Sequence, residues 1–291
     1  MSWFSEYKKS LKMIEVEDYF DLVFFRPLAF LLVKLIYPTR ITPNQLTYTA
    51  LVFGIISGIL YAKGLPNGFI LGAIFFMLYN IFDCSDGQLA RLKNSGTHAG
   101  RIIDGIADYI ATAFVFIGIG IGFANHQENP SYWWMLIVLM GLSSVVQAVL
   151  VDYYRNRFLD YVLPRKNNYE AELESYRQEY SLLKNQNNKW LDRVIIKIYL
   201  QYCAFQDKFT TKDKKDNSFN TTPEEYYKKN KTAMRFWVFT CSSSEIAILI
   251  ICSIFNRLDL FLWIILIGFN GLSAIMWFVQ RNIDKSFKPA F

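Results

Sequence analysis

The sequence contains few of the residues that build metal, disulfide and nucleic-acid sites in soluble proteins. Its 291 residues include only four cysteines and two histidines. The cysteines form no Cys-x-x-Cys pair, so neither a disulfide framework nor a zinc site is indicated, and free thiols are expected. The two histidines are too few and too far apart for a histidine metal cluster. The cysteines are Cys84, Cys203, Cys241 and Cys252.

Charge is also scarce, at 19% of residues, with a formal net charge of +6. The lysines and arginines flank apolar runs and do not form a nucleic-acid-reading module. Nucleic acid is therefore not an expected partner, whereas the anionic headgroups of membrane lipids are.

Apolar residues are abundant, at 53% of the chain, and they lie in six long runs. Several runs approach the roughly 20 residues that a helix needs to cross a bilayer, and mildly polar flanks complete the shorter ones. The sequence therefore predicts an all-α, polytopic membrane protein with six transmembrane helices. The runs are Leu46–Ala62, Phe69–Phe82, Ile106–Ala124, Trp133–Val151, Trp237–Phe255 and Leu260–Val279.

The distribution of basic residues predicts the orientation of these helices. Six spans place both termini on one side, and only Lys63 and Arg257 lie in the opposite loops. The positive-inside rule then places both termini and residues 83–108 in the cytoplasm.

Four regions follow from this arrangement. They are a cytoplasmic or interfacial helical segment (1–41), transmembrane helices one to four (42–154), a cytoplasmic insert (155–232), and helices five and six with the C-terminal tail (233–291). The run "FFRPLAFLLVKLIYP" in the first region predicts an amphipathic helix lying in the membrane interface. Helical apolar spacing in the insert predicts two helices that rest on the membrane or on a partner subunit.

Four aspartates stand at the ends of the second and third spans. Residues three or four apart share a helix face, so Asp83 points with Asp86, and Asp104 points with Asp108. Charged groups in a membrane are costly and usually functional. Four like charges brought together require cations, and an all-oxygen site favours Mg²⁺ or Mn²⁺. Two such ions could bind a diphosphate and assist its in-line displacement.

Other residues nearby suit the same chemistry. Gly87, Ala90 and Gly100 have small side chains that keep space open between the helices. Arg91 could bind a phosphate through its planar guanidinium, and Thr97 could donate a hydrogen bond to another phosphate oxygen.

The pattern Asp83-x2-Asp86-Gly87-x2-Ala90-Arg91-x8-Gly100-x3-Asp104-x3-Asp108 resembles, with no departure, the signature of the CDP-alcohol phosphotransferase (CDP-alcohol phosphatidyltransferase) family, class I. The resemblance extends over roughly residues 24–154, including the preceding Thr-Pro-Asn at 42–44. It implies an enzyme in which an alcohol hydroxyl attacks the β-phosphorus of a CDP-linked alcohol and CMP is released.

The resemblance also implies roles for individual residues. By position, Asp83, Asp86 and Asp104 resemble the ligands of one metal, and Asp83, Asp104 and Asp108 resemble those of a second. Asp108 is similar to the general base of the family. The residues that resemble contacts to the CDP group are Gly87, Ala90, Arg91, Thr97 and Asn44.

The acceptor alcohol is less well defined by the sequence. A six-span chain of this length resembles the family members that use CDP-diacylglycerol, with an inositol or inositol phosphate type of acceptor favoured weakly. Arg155 and Arg157 are candidate contacts to an acceptor's phosphate, although positive-inside anchors would look the same. The alternatives are a CDP-choline or CDP-ethanolamine phosphotransferase acting on diacylglycerol and, more distantly, an intramembrane prenyltransferase or a cation transporter.

Relatives in this family form homodimers, and a homodimer is expected here. Small residues in the third and fourth spans would permit close helix packing in such a dimer. These residues are Gly118, Gly120, Gly122, Gly141, Ser143 and Ser144.

Overall fold

The computed structural model describes residues 3–11, 13–64, 66–163, 168–183, 189–210 and 221–287. Within these ranges every regular element is helical. The helices are α1 (Trp3–Ser10), α2 (Arg26–Ile36), α3 (Pro43–Ala62), α4 (Pro66–Lys93), α5 (His98–His126), α6 (Pro130–Val162), α7 (Asn168–Leu183), α8 (Trp190–Thr210), α9 (Pro223–Val238), α10 (Ser242–Ile254), α11 (Leu258–Trp263) and α12 (Asn270–Lys285).

Among the described residues, six segments are long and apolar enough to cross a membrane, which confirms the predicted six spans. They are the helices α3, α4, α5 and α6, the pair α9 and α10, and the pair α11 and α12. A break at residues 239–241 separates α9 from α10, and a π-helical turn at Ile264–Phe269 joins α11 to α12. Helices α6 and α9 both extend into the predicted 155–232 insert, which leaves α7 and α8 as its separate helices.

The helix starts follow the local sequence. Thr42 caps α3 by accepting a hydrogen bond from the backbone of Gln45, whose side chain accepts one from the Thr42 backbone. Pro43 follows in the first turn, where its missing N–H group is not needed. This capping box fixes the point at which the chain turns from the surface into the first span.

Helices α3 and α5 pack with their backbones in contact. A Cβ atom on Gly118 would lie 2.1 Å from the carbonyl oxygen of Gly58, and one on Gly54 would lie 2.5 Å from the Cβ of Ala111. Small residues of this kind permit close helix approach in a membrane. Because α3 and α5 run in the same direction, their first turns lie at the same end of the bundle, which we call the site end.

Three of the small residues predicted to face a dimer partner pack within the chain. Gly118 packs on α3, and a Cβ on Gly120 would lie 2.7 Å from the Trp134 ring of α6. Ser143 accepts a hydrogen bond from Asn270 of α12 at 2.8 Å. Spacing alone identifies small residues but does not say which helix they meet. Gly118, Gly120 and Ser143 therefore contact neighbouring helices of the same chain, and the homodimer stays a prediction.

Helix α2 is amphipathic, as the sequence predicts. Ala29, Phe30 and Val33 are buried, and Ser85 of α4 donates a hydrogen bond to the carbonyl of Ala29 at 3.3 Å. Leu35, on the other side, is 75% exposed. The helix therefore covers one face of α4 and offers an apolar face to its surroundings, as suits a membrane interface.

Candidate active site

Helices α4 and α5 bring three of the four aspartates together. One carboxylate oxygen each from Asp83, Asp104 and Asp108 lies within 4.8 Å of the other two. All three side chains are half-buried, so like charges meet where water screens them only partly. An all-oxygen, negatively charged donor set of this kind fits Mg²⁺ or Mn²⁺. The residues present therefore suit the metal that the resemblance implies.

Asp86 lies at the edge of this cluster. It is buried, and its carboxylate accepts a hydrogen bond from the Thr47 hydroxyl of α3. Its side chain also neighbours that of Asp104. Asp86 thus lies beside the cluster, and its hydrogen bond to Thr47 connects α4 to α3 at this point. Its role as a metal ligand stays a prediction. The sequence analysis did not identify Thr47, although it lies one helical turn after Asn44.

Tyr79 is a second residue that the sequence analysis missed. Its hydroxyl donates to Oδ1 of Asp108 at 2.6 Å. The side chain is buried, and its ring stacks on Phe76 with the centroids 5.2 Å apart. Tyr79 precedes Asp83 by four residues, so the two share a face of α4. That spacing was the available signal for its position in the site.

Asn44, Thr97 and Gly100 meet at the first turn of α5. The Thr97 hydroxyl caps this helix by accepting from the Gly100 backbone at 3.0 Å. A Cβ on Gly100 would lie 2.8 Å from Oδ1 of Asn44 and 2.9 Å from Oγ1 of Thr97. Only glycine therefore leaves room for both side chains. The group stands at a helix N-terminus, where backbone N–H groups favour anions.

Arg91 lies across Gly87. Its Nη atoms are 3.3 and 3.4 Å from the position of a Cβ on Gly87, so a larger residue there would displace the guanidinium. Its Nε donates to the carbonyl of Ser10, the last residue of α1, at 2.5 Å. Ala90 lies close to Gly96, where a Cβ would be 3.7 Å from that of Ala90.

The N-terminal segment adds a buried charged group that the sequence analysis did not anticipate. Arg26 and Glu17 form an ion pair of 2.7 Å with both side chains almost fully buried. Burial raises the pKa of Asp21 to about 6 and also raises the pKa of Asp18. Asp18 accepts hydrogen bonds from the Cys241 thiol and, at 2.7 Å, from the Ser244 hydroxyl. This network fixes the N-terminal segment to the start of α10.

The two candidate acceptor-phosphate contacts are both engaged with acidic residues. Arg155 pairs with Asp152 at 3.1 Å, and Arg157 pairs with Asp284 of α12 at 2.9 Å. The second pair is largely buried and joins α6 to α12. A role for either arginine in binding an acceptor stays a prediction.

Residues 40–165 match the family model described as CDP-alcohol phosphatidyltransferase. This range contains every position of the aspartate motif, together with Asn44, Thr47 and Tyr79. The match confirms the resemblance over these residues.

Three curated relatives illustrate the match. The bifunctional IPC transferase and DIPP synthase of Thermococcus kodakarensis is 32% identical over 120 residues, which are 41% of this chain and 25% of that protein. The phosphatidylinositol phosphate synthase of Corynebacterium glutamicum is 28% identical over 144 residues, 49% of this chain and 57% of that protein. Cholinephosphotransferase 1 of Danio rerio is 32% identical over 89 residues, 28% of this chain and 23% of that protein. The chain thus spans about a quarter to just over half of these relatives' lengths.

Proposed function

We propose that this chain is a membrane enzyme that transfers a substituted phosphoryl group from a CDP-linked alcohol to a hydroxyl acceptor and releases CMP. The observation that carries the proposal is the meeting of Asp83, Asp104 and Asp108, from two helices, within 4.8 Å. These are motif positions of the matched family, and the carboxylates face one another at one end of a membrane-spanning bundle.

In the proposed reaction the acceptor's hydroxyl oxygen attacks the β-phosphorus of the CDP-alcohol. A new P–O bond forms, the bond from that phosphorus to the oxygen of CMP breaks, and the acceptor's proton passes to the carboxylate of Asp108. Two divalent ions, Mg²⁺ or Mn²⁺, held by Asp83, Asp86, Asp104 and Asp108 would neutralise the diphosphate and stabilise its displacement. The remaining residues bind and orient the reactants.

The surrounding side chains suit these tasks. The Tyr79 hydroxyl donates a hydrogen bond to Oδ1 of Asp108 and so orients the carboxylate that would accept the proton. Arg91 would release the carbonyl of Ser10 and bind a phosphate of CDP. Asn44 and Thr97 would contact the nucleotide at the first turn of α5, beside Gly87 and Ala90.

Replacing Tyr79 with Phe tests the positioning role of the hydroxyl. A hydrogen bond to a charged group contributes ~1.5–3 kcal/mol, so Tyr79→Phe should lower kcat by roughly 10- to 100-fold. The KM for the CDP-alcohol should change little, because the hydroxyl contacts Asp108 and not the nucleotide. Kinetics of CMP release over a pH series measures both quantities.

Tyr61→Phe is the matched control for this variant. Tyr61 is also fully buried, but its hydroxyl bonds to Ser253 at 2.8 Å, near the opposite end of α3. Its loss should leave kcat and its pH profile unchanged. Equal kcat values in the two variants would eliminate the positioning role of Tyr79.

The favoured donor is CDP-diacylglycerol, with an acceptor of the inositol or inositol phosphate type. The similarity to a phosphatidylinositol phosphate synthase supports this choice. Arg155 and Arg157 are candidates to bind the acceptor's phosphate. The second candidate function is a CDP-choline or CDP-ethanolamine phosphotransferase that acts on diacylglycerol, and the similarity to cholinephosphotransferase 1 favours it.

The proposed location of the site is the cytoplasmic side of the membrane. Lys63 and Arg257 lie at the opposite end of the bundle, which agrees with the positive-inside rule. CMP and a polar acceptor would enter from the cytoplasm, and the acyl chains would enter sideways from the bilayer. A homodimer is part of the proposal, by analogy with the family.

Release of CMP by the purified protein tests the function directly. With Mg²⁺ or Mn²⁺ and CDP-diacylglycerol, we expect release to rise on adding one alcohol among inositol, inositol phosphate, glycerol phosphate and serine. Chelation by EDTA should abolish turnover, and excess Mg²⁺ should restore it. Turnover only with CDP-choline or CDP-ethanolamine plus diacylglycerol would select the second candidate. No CMP from any pair of substrates would refute the proposal.

A further inference from the structure

Helices α7 and α8 form a hairpin that docks on the first turn of α5. Ala99 of α5 is fully buried in a cluster with Tyr176 and Leu183 of α7 and Ile196 of α8. Polar contacts add to this docking. The ring of His98 contacts the carboxylate of Glu179 and, at 2.8 Å, the hydroxyl of Ser175. The hairpin is therefore fixed beside the bundle by both apolar and polar contacts.

The face of α5 beneath the hairpin is a lipid-facing one. Ala99, Ile102, Ile106 and Ile110 recur at spacings of three and four residues and share one side of the helix. The hairpin covers the first two. One turn further on, Ile106 is 49% exposed and Ile110 is 37% exposed. Since α5 is long and apolar enough to cross a membrane, this exposed side suits contact with lipid, and the hairpin covers its first turn.

Helix α8 exposes an apolar stripe along one side. Ile196 packs against α5 and α7, and Cys203, two turns further on, is also buried. Trp190, Val194 and Ile198, at intervals of four, lie on the other side and are 55%, 41% and 60% exposed. Leu191 widens the stripe and is 54% exposed. An apolar stripe of this size is unusual on a water-exposed helix and marks a surface that binds a partner or a membrane.

Positive charge flanks the stripe. Lys189, Arg193 and Lys197 follow one another at intervals of four, so they form a row along one edge of it. Asp192 lies on the opposite side of the helix. An apolar stripe beside a basic row is the pattern of a helix lying in the plane of an anionic membrane.

We propose that α8 is an in-plane helix that binds the anionic bilayer surface beside α5. The apolar stripe enters the boundary between headgroups and acyl chains, and the basic row contacts lipid phosphates. A second copy of this chain suits the stripe less well. In a two-fold contact about an axis along the membrane normal, two copies of α8 would pack antiparallel, and the basic row of one copy would lie against the basic row of the other.

Depth measurements with spin labels test the proposal in the 291-residue chain. A nitroxide is attached at Val194→Cys in nanodiscs of phosphatidylcholine and phosphatidylglycerol. Its collision rate with O2 should be high. Its collision rate with a water-soluble nickel chelate should be several-fold lower than that of a water-exposed label. Lys228→Cys on α9 provides that water-exposed reference, and Ile275→Cys on α12 provides a lipid-exposed one. The unsubstituted protein, whose four cysteines are buried, gives the background.

The basic row is tested separately. With the basic row intact, the Val194→Cys label should lie deeper in anionic nanodiscs than in nanodiscs of phosphatidylcholine alone. Replacing Lys189, Arg193 and Lys197 together with Gln should remove this difference in depth. Two results would overturn the proposal. One is a Val194→Cys label as accessible to the nickel chelate as that at Lys228→Cys. The other is protection from both reagents with spin–spin broadening between copies, which would place a second chain on the stripe.

Discussion

Asp104→Asn is expected to lower the rate of CMP release by roughly a thousandfold. The substitution keeps the size of the side chain but removes its charge and one carboxylate oxygen from the cluster with Asp83 and Asp108. Asp104 belongs to both ligand sets that the family resemblance implies. Loss of one ligand from a site that contributes several kcal/mol to transition-state stabilisation should cost about 4 kcal/mol, or three orders of magnitude.

A binding measurement separates loss of the metal from loss of the fold. The unbound fraction of Mn²⁺ can be followed by its paramagnetic resonance signal, and Asp104→Asn should weaken Mn²⁺ binding in parallel with CMP release. Its thermal midpoint in detergent should not fall, since one repulsive charge is removed from the cluster. Wild-type turnover and Mn²⁺ binding in this variant would show that Asp104 is not a metal ligand.

Asp259→Asn is the matched control. Asp259 is an exposed carboxylate that pairs with Arg257 through two contacts of 3.0 Å, at the end of the bundle away from the aspartate cluster. Exposed ion pairs contribute only ~0–1 kcal/mol to stability. The control variant should therefore bind Mn²⁺ and release CMP as the wild type does.

The sequence predicts the parts of the site that depend on spacing within one helix. Asp83 and Asp86 share a face of α4, and Asp104 and Asp108 share a face of α5, because helical periodicity decides this before any tertiary contact forms. The capping of α3 at Thr42 is local in the same way. The six spans follow from length and apolarity alone.

The contacts between helices could not be predicted from spacing. Tyr79 lies on the motif face of α4, but its hydroxyl meets Asp108 only because α4 and α5 are adjacent. Thr47 likewise meets Asp86 across α3 and α4. Each is one polar residue among many in an apolar helix, and a single sequence does not say which of them has a partner.

The N-terminal segment shows a second limit of sequence reasoning. Its amphipathic character predicts α2, yet Glu17 and Arg26 are buried as a pair, and charged residues usually lie at the surface. The partner that makes this burial tolerable is nine residues away, across a bend at residues 17–18 and a π-helical segment at Asp21–Phe25. A helical pattern carries no information about such a contact.

The second large effect is expected from Gly118→Ala, at the contact between α3 and α5. The added Cβ would lie 2.1 Å from the carbonyl oxygen of Gly58, and backbone atoms have no rotamer by which to move away. Overpacking of this kind costs ~1–3 kcal/mol or more. We therefore expect a lower thermal midpoint in detergent and a low yield of folded protein.

Gly271→Ala in α12 shows what the same methyl group does where there is room for it. Nothing lies within 4 Å of the Cβ position at Gly271, so this variant should melt at or slightly above the wild-type temperature, as glycine is a weak helix former.

Folded Gly118→Ala should also release CMP more slowly, because separating α3 from α5 moves Asn44 and Thr47 away from Asp104 and Asp108. Equal midpoints and rates for both variants would contradict a backbone contact between α3 and α5. A lower rate in Gly118→Ala alone would mean that the geometry of the carboxylate cluster depends on the distance between α3 and α5. That distance is possible only because residue 118 is glycine and has no Cβ.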